Sequence, residues 1–290
     1  MSALFRNSRI RLSSGLIFWR EVGDGPAVVF LHGSWDEGSQ WVEVMERLSE
    51  NLQCFAPDLL GFGESDRPPI HYSINVQIEC LAEYLGALKL DSFYLVGHSL
   101  GGWVATRYAL ENPDRVLGLV LLAPEGIDDP QLLQRWKKAT WLVGPKSFWT
   151  VLLKVLLPVA RWLGKAKAIE TLLEKRSHLL EFRAACQMLF LRRSREIQAE
   201  CVNEELGDLA VPTLLLSGRP MGKDSSEVDV LNQAYLQSIP DVQQQFLPPG
   251  ESNWPRSAPD AVARDIAEFI ESTGRSPDDE KLDRDKNSPQ

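Results

Sequence analysis

The stretch SFYLVGHSLGG, Ser92 to Gly102, decides how this sequence folds. A run of apolar residues typical of a buried strand precedes Gly97, and helical spacing of apolar residues begins at Leu100. Between them Gly97, Ser99 and Gly101 fit the pattern G-x-S-x-G, in which small residues let the chain turn sharply from strand to helix. Such a turn projects the Ser99 hydroxyl above the sheet, and the helix places positive potential and the Leu100 N–H beside it. Because the pattern alone also occurs by chance, the flanking sequence has to support it.

Buried strands alternate with helices along most of the chain. Apolar spacing predicts helices at 74–88, 100–111 and 259–272, and one more after the third strand. Runs rich in Val, Leu and Ile, bounded by turn residues, predict the strands. Their sequences are RIRLSS, GLIFWREV, PAVVFLHG, LQCFAPD, SFYLVGHS, VLGLVLLAPE, VPTLLLSG and QQQFLPPG. This alternation predicts an α/β protein with a largely parallel sheet and helices on both faces.

Two further motifs accompany the turn at Ser99. FLHGSW ends the third predicted strand, and APDLLGFGESDRP follows the fourth. With HGSW, DLLGFGES and GHSLGG in this order, residues from about 8 to 272 resemble the α/β-hydrolase superfamily. Because the turn carries serine, the sequence resembles the serine esterase- and lipase-like branch of that superfamily. The resemblance implies the α/β-hydrolase fold, an eight-stranded, mostly parallel sheet with a helical lid inserted after the sixth strand.

The resemblance also divides the chain into regions. Residues 1–129 and 207–272 would form the core, and residues 130–206, which are helix-like without strands, would form the lid. Residues 273–290 are charged and nearly free of apolar side chains, so a disordered polar tail is expected there.

The superfamily uses a catalytic triad in the order Ser, Asp, His, and the resemblance assigns Ser99 as the nucleophile. Aspartate here would have indicated an epoxide hydrolase or a haloalkane dehalogenase, whereas serine indicates hydrolysis of an ester, a thioester or a C–C bond. The resemblance further implies that the N–H groups of Ser34 and Leu100 form the oxyanion hole. Three further residues are expected at the pocket: His32, Trp35 and His98.

The acid of the triad should follow the strand VPTLLLSG. Its usual position, three residues beyond the glycine, is occupied by Met221, and the loop GRPMGKDSS is about three residues longer than usual. Counting back from the end of the next helix gives Asp224 as the acid, with Glu227 and Asp229 as alternatives. An acidic loop that merely faces solvent is the other interpretation.

Asn253 occupies the position of the triad histidine, in the stretch GESNWPRSAPDAV. An imidazole takes the proton from serine and returns it to the leaving group, whereas an amide has no group that titrates near pH 7. Loss of a triad member lowers kcat by about four to six orders of magnitude. Either the natural protein lost its base or the histidine was exchanged by engineering, and the irregular acid loop favours natural loss.

The four histidines offer few replacements for this base. His32 belongs to the oxyanion turn, and His98 should point away from Ser99. His71 lies in a loop that is expected at the surface. His178 in the lid is the remaining alternative base, although an exposed lid residue is the simpler interpretation of it.

The segment 131–200 is basic, whereas the rest of the chain is acidic. It holds 14 lysines and arginines against 5 aspartates and glutamates, and the remainder holds 17 against 35. Within it, SFWTVLLKVLLPVARWLGK predicts a helix with a wide apolar face and a thin basic stripe, kinked or divided at Pro158. Such a helix fits an anionic membrane surface; alternatively, its apolar face packs on the core and roofs the pocket. The residues assigned to membrane contact are Trp149, Lys154, Arg161 and Trp162.

Composition argues against several kinds of site. The cysteines are far apart in sequence, which disfavours a disulfide framework and a structural zinc site. They are expected to be reduced thiols, most of them in the core. No cofactor or metal is expected. Basic residues interleaved with aliphatic ones on an acidic protein disfavour nucleic acid as a partner. The sequence shows no signal-peptide pattern and no apolar run long enough to span a membrane. A cytoplasmic protein is therefore expected, and it could bind a membrane surface peripherally.

Two functions therefore stay open. The first is a serine hydrolase for a hydrophobic acyl- or lipid-like substrate, with impaired or unconventional activity because Asn253 replaces histidine. The second is a catalytically silent pseudoenzyme that binds a hydrophobic ligand as a sensor, a carrier or a membrane-docked scaffold. Both need an apolar pocket.

Overall fold

Eight strands form one sheet in the order β1-β2-β4-β3-β5-β6-β7-β8 in the computed structural model. The structure describes residues 4–129, 136–144, 148–162, 166–218, 227–248 and 253–274. The strands are β1 (Arg6–Arg11), β2 (Leu16–Val22), β3 (Ala27–Leu31), β4 (Gln53–Pro57), β5 (Phe93–His98), β6 (Val116–Leu122), β7 (Thr213–Gly218) and β8 (Val242–Leu247). The pairs β1–β2 and β2–β4 are antiparallel, and the other neighbours are parallel. The predicted eight-stranded, mostly parallel sheet is confirmed.

Helices connect these strands and form the rest of the regular structure. The described helices are α1 (Val42–Leu48), α2 (Ile74–Ala87), α3 (Leu100–Glu111), α4 (Lys137–Val143), α5 (Phe148–Trp162), α6 (Ala166–Glu181), α7 (Arg183–Cys186), α8 (Ser194–Gln198), α9 (Glu227–Ser238), α10 (Trp254–Ser257) and α11 (Pro259–Thr273). Single 3₁₀ turns occur at Gly38–Trp41, Pro113–Arg115 and Leu206–Asp208, and a π-helical turn at Gln187–Leu191. None of the described helices is long and apolar enough to cross a membrane.

The chain divides into two compact units. One comprises Met1–Pro69, Ile74–Ile127 and Val202–Gln290, and the other comprises Ile70–Ser73 and Asp128–Cys201. The first contains the whole sheet, and the described residues of the second form helices and turns. The assignment of residues 130–206 as a lid stays a prediction, and the predicted tail lies, from residue 275 onward, outside the described residues.

The core of the first unit is built on the central strands, which are covered on both faces. Every residue of β3 and β6 is buried, and their sequences, AVVFL and VLGLVLL, carry no charge. Alternate residues of a strand face opposite sides of the sheet, and Val28 and Phe30 join the buried cluster that includes Trp41 and Ile266 of α11. On β5, Phe93 instead packs against Tyr108 of α3.

The sheet brings the ends of its parallel strands to one edge. In such a sheet ligands bind outside the carboxyl ends of the strands, because the loops that follow them converge there. The segments after β3, β5, β7 and β8 hold every residue of the predicted triad and oxyanion hole. The edge strand β8 exposes three glutamines, Gln243, Gln244 and Gln245, as suits a strand with a solvent-facing side.

Pro158 does not divide the helix in which it lies. The sequence predicted a kink or a division there, but α5 runs as one helix from Phe148 to Trp162. A proline removes one N–H donor and disturbs one turn, and the hydrogen bonds of the turns on either side maintain the helix. Of the two predicted alternatives, a division is therefore wrong, and a kink at Pro158 stays a prediction.

Candidate active site

Ser99 occupies the sharp turn between β5 and α3. Its φ of 52° and ψ of −115° lie outside the regions that residues other than glycine usually adopt. Two backbone hydrogen bonds hold this conformation. The Ser99 N–H donates to the carbonyl oxygen of Leu122 at 2.9 Å, and the Glu125 N–H donates to the carbonyl oxygen of Ser99 at 3.1 Å. The end of β6 thus stabilises a backbone that would otherwise relax.

Two glycines allow the elements around this turn to approach each other. A Cβ on Gly97 would lie 2.5 Å from the carbonyl oxygen of Gly101, and a Cβ on Gly101 would lie 2.6 Å from the carbonyl oxygen of His32. No side chain fits at these distances, so α3 can begin against β5 and β3 only with glycine at both positions. The pattern G-x-S-x-G is therefore required by packing, whatever chemistry the serine performs.

The groups predicted for the oxyanion hole are free to donate. Neither the Ser34 N–H nor the Leu100 N–H donates to a described residue, and the same is true of the Ser99 hydroxyl. A Cβ on Gly33, the residue before Ser34, would lie 3.4 Å from the Cβ of Ser99, which brings this turn against the serine. Ser34 is itself buried, and its Oγ has no hydrogen-bond partner in the part of the chain that the structure describes. Unpaired donors beside a serine suit an oxyanion, although the catalytic role stays a prediction.

His32 is a fixed part of the turn rather than a free base. Its Nε2 accepts a hydrogen bond from the Leu59 N–H at 3.0 Å, so the proton of the neutral ring lies on Nδ1, which donates to the carbonyl oxygen of Gly33 at 2.9 Å. Burial lowers the pKa of His32 and outweighs the opposing charge of Asp58. The ring is therefore neutral at physiological pH, with both nitrogens engaged.

Gln40, which the sequence gave no reason to single out, connects the turn at Gly33 to His98, the residue before Ser99. Its Oε1 accepts from the Gly33 N–H at 2.9 Å, and its Nε2 lies 3.2 Å from Nδ1 of His98. Because an amide nitrogen only donates, Nδ1 of His98 acts as the acceptor in this contact. Gln40 is buried and His98 half-buried, as is Trp35 at the next turn. Nδ1 of His98 thus accepts a hydrogen bond from Gln40 and lies next to Gly33.

Asn253 contacts the turn after β3 through the carboxylate of Asp36. Its Nδ2 donates to Oδ2 of Asp36 at 3.2 Å, and Asp36 closes the turn by donating its N–H to the carbonyl oxygen of Gly33 at 3.3 Å. Since a carboxylate only accepts, the amide nitrogen must face Asp36, and this chemistry settles the orientation of the amide. The other end, Oδ1, is buried and has no hydrogen-bond partner among the described residues. Position 253 therefore presents an acceptor without a described partner, and it carries no titratable base.

An ion pair keeps Asp36 charged. Arg256 donates from Nε to Oδ2 at 3.0 Å and from Nη2 to Oδ1 at 2.7 Å. Burial on its own would raise the pKa of Asp36, but the hydrogen bonds from Arg256 and from the Glu37 N–H outweigh it and hold the pKa below its usual value. Asp36 and Arg256 were not predicted, because they lie 220 residues apart in sequence and neither belongs to a motif.

The end of β7 and the segment after β8 meet beside Asn253. A Cβ on Gly218 would lie 2.7 Å from the ring of Trp254, which is buried. The loop expected to supply the acid thus begins next to the residue that follows Asn253. Asp224 itself lies outside the described residues, and Glu227 and Asp229 belong to the first turn of α9.

The remaining predicted residues belong to the second unit. His178 on α6 is exposed, lies 3.9 Å from a carboxylate oxygen of Glu181 and packs edge-on against Phe182. Arg161 and Trp162, at the end of α5, are both exposed. Trp149 and Lys154 belong to the same helix. His71 is exposed and pairs with Glu196 at 3.4 Å.

Cysteines and carboxylates form no further site in the described part of the chain. All four cysteines lie in the described part of the chain and none of them is in a disulfide bond. Burial raises the pKa of Cys54 and of Cys186 to about 12. Among the residues that the structure describes, no group of three or more His, Cys, Asp or Glu could hold a metal ion.

Comparison with protein families and sequences places these observations in context. A family model for the alpha/beta hydrolase fold matches residues 26–251. The 1-acylglycerol-3-phosphate O-acyltransferase ABHD5 of Mus musculus is 34% identical over 134 residues, 43% of this chain and 38% of that protein. The 2-hydroxy-6-oxo-2,4-heptadienoate hydrolase of Pseudomonas putida is 40% identical over 111 residues, 37% of this chain and 40% of that protein. The matches thus span less than half the length of these curated relatives.

Solved structures share the fold over nearly the whole chain. A haloalkane dehalogenase, DbeA from Bradyrhizobium elkani, superposes with a TM-score of 0.72 at 20% identity and covers 93% of this chain and 99% of its own. A membrane phospholipase A superposes with a TM-score of 0.71 at 22% identity, over 94% of this chain and 87% of its own. At such identities the likeness concerns the fold alone.

Proposed function

We propose that this chain, which belongs to the α/β-hydrolase fold family, takes up a hydrophobic acyl- or lipid-like ester. Ser99 would be its nucleophile. The observation that supports the proposal is the backbone of Ser99, held at a φ of 52° near the N–H groups of Ser34 and Leu100, which donate to no described residue. The name of one relative, a 1-acylglycerol-3-phosphate O-acyltransferase, supports an acyl-type substrate, and the name of the other, a 2-hydroxy-6-oxo-2,4-heptadienoate hydrolase, supports hydrolysis.

The reaction would proceed through an acyl-enzyme. Ser99 Oγ attacks the acyl carbonyl carbon, a new C–O bond forms, and the bond to the leaving group breaks. The N–H groups of Ser34 and Leu100 stabilise the negative charge on the carbonyl oxygen. Water then attacks the acyl-enzyme and releases the acid. Both steps need a proton to leave the attacking oxygen and to reach the leaving one.

Proton transfer is the step that this site performs poorly. Asn253 cannot accept a proton at neutral pH, and its amide nitrogen is engaged by Asp36. Solvent water must then carry the proton from Ser99 to the leaving group. We expect hydrolysis about four to six orders of magnitude below that of a complete triad.

A second function is favoured by the state of Asn253. A site with a hydrogen-bonded amide in place of its base suits a protein that binds a hydrophobic ligand without turning it over, as a sensor, a carrier or a membrane-docked scaffold. The proposed ligand is the same in both cases, and only its fate differs.

Hydrolysis of p-nitrophenyl butyrate and decanoate by four purified proteins tests the proposal. They are the chain itself, Ser99→Ala, Asn253→His and, as a matched control, Asn51→His at an exposed asparagine. We expect slow hydrolysis by the chain, none above background by Ser99→Ala, and a gain of at least about a hundredfold in Asn253→His, because general base catalysis contributes about 10²–10⁴.

The outcomes separate the two functions. If Ser99→Ala hydrolyses the esters as fast as the chain does, Ser99 is not the nucleophile. If the chain and Ser99→Ala are equally silent but both bind a fluorescent fatty acyl probe, the ligand-binding function replaces the hydrolase. Intact-mass measurement of an acyl adduct, present in the chain and missing in Ser99→Ala, distinguishes a slow nucleophile from an inert one.

A further inference from the structure

Helix α5 turns an unbroken apolar row toward solvent. Val155 is 65% exposed, Val159 54% and Trp162 84%. Pro158, between them, is exposed as well. These residues are spaced by three and four positions, so they lie on one face of the helix. Ala160, on the opposite face, is more buried, and α5 packs against α6 of the same unit.

The sequence extends this row along the whole helix. The positions that continue the same face toward the start of α5 are 148, 151 and 152, and they are occupied by Phe, Val and Leu. An amphipathic helix of a globular protein normally turns its apolar stripe to the core. An apolar stripe that faces outward instead marks a surface that binds something.

Charge indicates what it binds. The only charged residues between Phe148 and Trp162 are Lys154 and Arg161, both basic and seven positions apart, hence on one flank of the apolar row. Arg161 is exposed and pairs with Glu170 at 2.9 Å, a contact that surface solvation keeps weak. The surrounding segment is basic and the rest of the chain is acidic, so a negative surface would attract this segment more than it attracts the rest of the chain.

We propose that this outward face of α5 docks on an anionic lipid bilayer, with Val155, Val159 and Trp162 in the interfacial region. A helix of this kind lies in the plane of the membrane, its apolar side among the acyl chain ends and its basic flank near the headgroups. Tryptophan favours this boundary because its ring is both apolar and polar. A second copy of the chain fits less well, since a symmetric contact would bring the same basic flank against itself.

This docking goes beyond the proposed hydrolase function and does not depend on Ser99. A membrane surface would concentrate hydrophobic substrates near the protein, but the contact is made by residues that take no part in the chemistry. Binding to vesicles can therefore be measured in Ser99→Ala as well as in the chain itself, and failure of one proposal leaves the other intact.

Co-sedimentation with vesicles tests the proposal. The vesicles consist of phosphatidylcholine alone or of phosphatidylcholine mixed with phosphatidylserine. We expect the chain to bind the mixed vesicles at least roughly tenfold more tightly than the neutral ones. The variant Val155→Ser, Val159→Ser, Trp162→Ser should lose at least roughly tenfold in binding to the mixed vesicles. Phe246→Ser is the matched control, because Phe246 is 47% exposed on β8 of the first unit and should not matter.

A second variant and a second readout protect the test against misfolding. Lys154→Glu with Arg161→Glu keeps the apolar row and should remove the preference for phosphatidylserine. Quenching of tryptophan fluorescence by brominated lipid should fall in Trp162→Phe. Equal binding to both vesicles, unchanged binding of the triple variant, or a dimer in solution that the triple variant dissociates without any vesicle binding would each overturn the proposal.

Discussion

The contact between Asp36 and Arg256 should contribute measurably to stability, because it joins the turn after β3 to the short helix α10. The substitution Asp36→Ala removes the acceptor of two hydrogen bonds from Arg256, at 3.0 and 2.7 Å, and of one from Asn253, at 3.2 Å. It also removes the acceptor of the Glu37 N–H, at 2.9 Å. Each donor must then bind water or stay unpaired.

The size of the effect follows from how far this cluster is exposed. A hydrogen bond to a charged group contributes about 1.5–3 kcal/mol, whereas a solvent-exposed ion pair contributes about 0–1 kcal/mol. The side chain of Asp36 is 15% exposed and that of Arg256 48% exposed, so the cluster lies between these limits. We expect Asp36→Ala to lower the free energy of unfolding by about 2 kcal/mol at neutral pH.

This contribution should vanish in acid. The pKa of Asp36 is lowered in the folded protein, so a proton binds the unfolded chain more readily. The stabilisation is therefore fully present above the unfolded carboxyl pKa of about 3.9 and is lost as the pH falls through the lower folded value. The difference in stability between the chain and Asp36→Ala should narrow below about pH 4.

Urea unfolding followed by tryptophan fluorescence, at neutral pH and in acid, measures both effects. Asp260→Ala is the matched control: Asp260 also pairs with an arginine, Arg47, but its side chain is 86% exposed, so its removal should change little. The reasoning would be refuted by an Asp36→Ala protein that unfolds like the control, or by a stability difference that does not change with pH.

Two other predictions concern packing and burial. Gly101→Ala should lower the free energy of unfolding by about 3 kcal/mol, because the new Cβ would lie 2.6 Å from the carbonyl oxygen of His32. Gly86→Ala, whose new Cβ would have no atom within 4 Å, should raise the free energy of unfolding by about 0.5–1 kcal/mol. Thermal unfolding should therefore show a lower melting temperature for the first variant and a higher one for the second. Burial raises the pKa of Cys54 to about 12, so this thiol should resist a thiol reagent at pH 8, whereas the partly exposed Cys201 should react. Equal rates of modification of the two cysteines in the native protein would contradict this.

The fold could be predicted from local sequence because its signals are local. A buried strand, a small-residue turn and a helix follow one another within the stretch around Ser99, and each leaves its own periodicity. The close contacts of Gly97 and Gly101 explain why that stretch is so informative, since no other residue fits at either position. Right-handed connections between parallel strands restrict the possible sheet orders, and the observed order is one of those that they allow.

The surroundings of position 253 could not be predicted in the same way. The residues around position 253 predict that asparagine stands there in place of a histidine, but they do not predict what contacts this asparagine. Asn253 and Asp36 are separated by 217 residues, and the bond between them depends on how two loops meet at the edge of the sheet. Gln40 was missed for a similar reason, since a buried glutamine in a turn resembles any polar turn residue until its partners are known.

Asparagine and histidine offer Asp36 the same donor. The amide nitrogen of asparagine and Nδ1 of histidine stand the same number of bonds from Cβ, and an acceptor fixed by Arg256 can receive either N–H. The codons of the two residues differ in their first base alone, so one nucleotide change converts one into the other. A lineage could then lose this histidine and regain it without passing through a poorly folded ancestor. Selection for folding would not distinguish the two, and only a need to move protons would decide which residue persists.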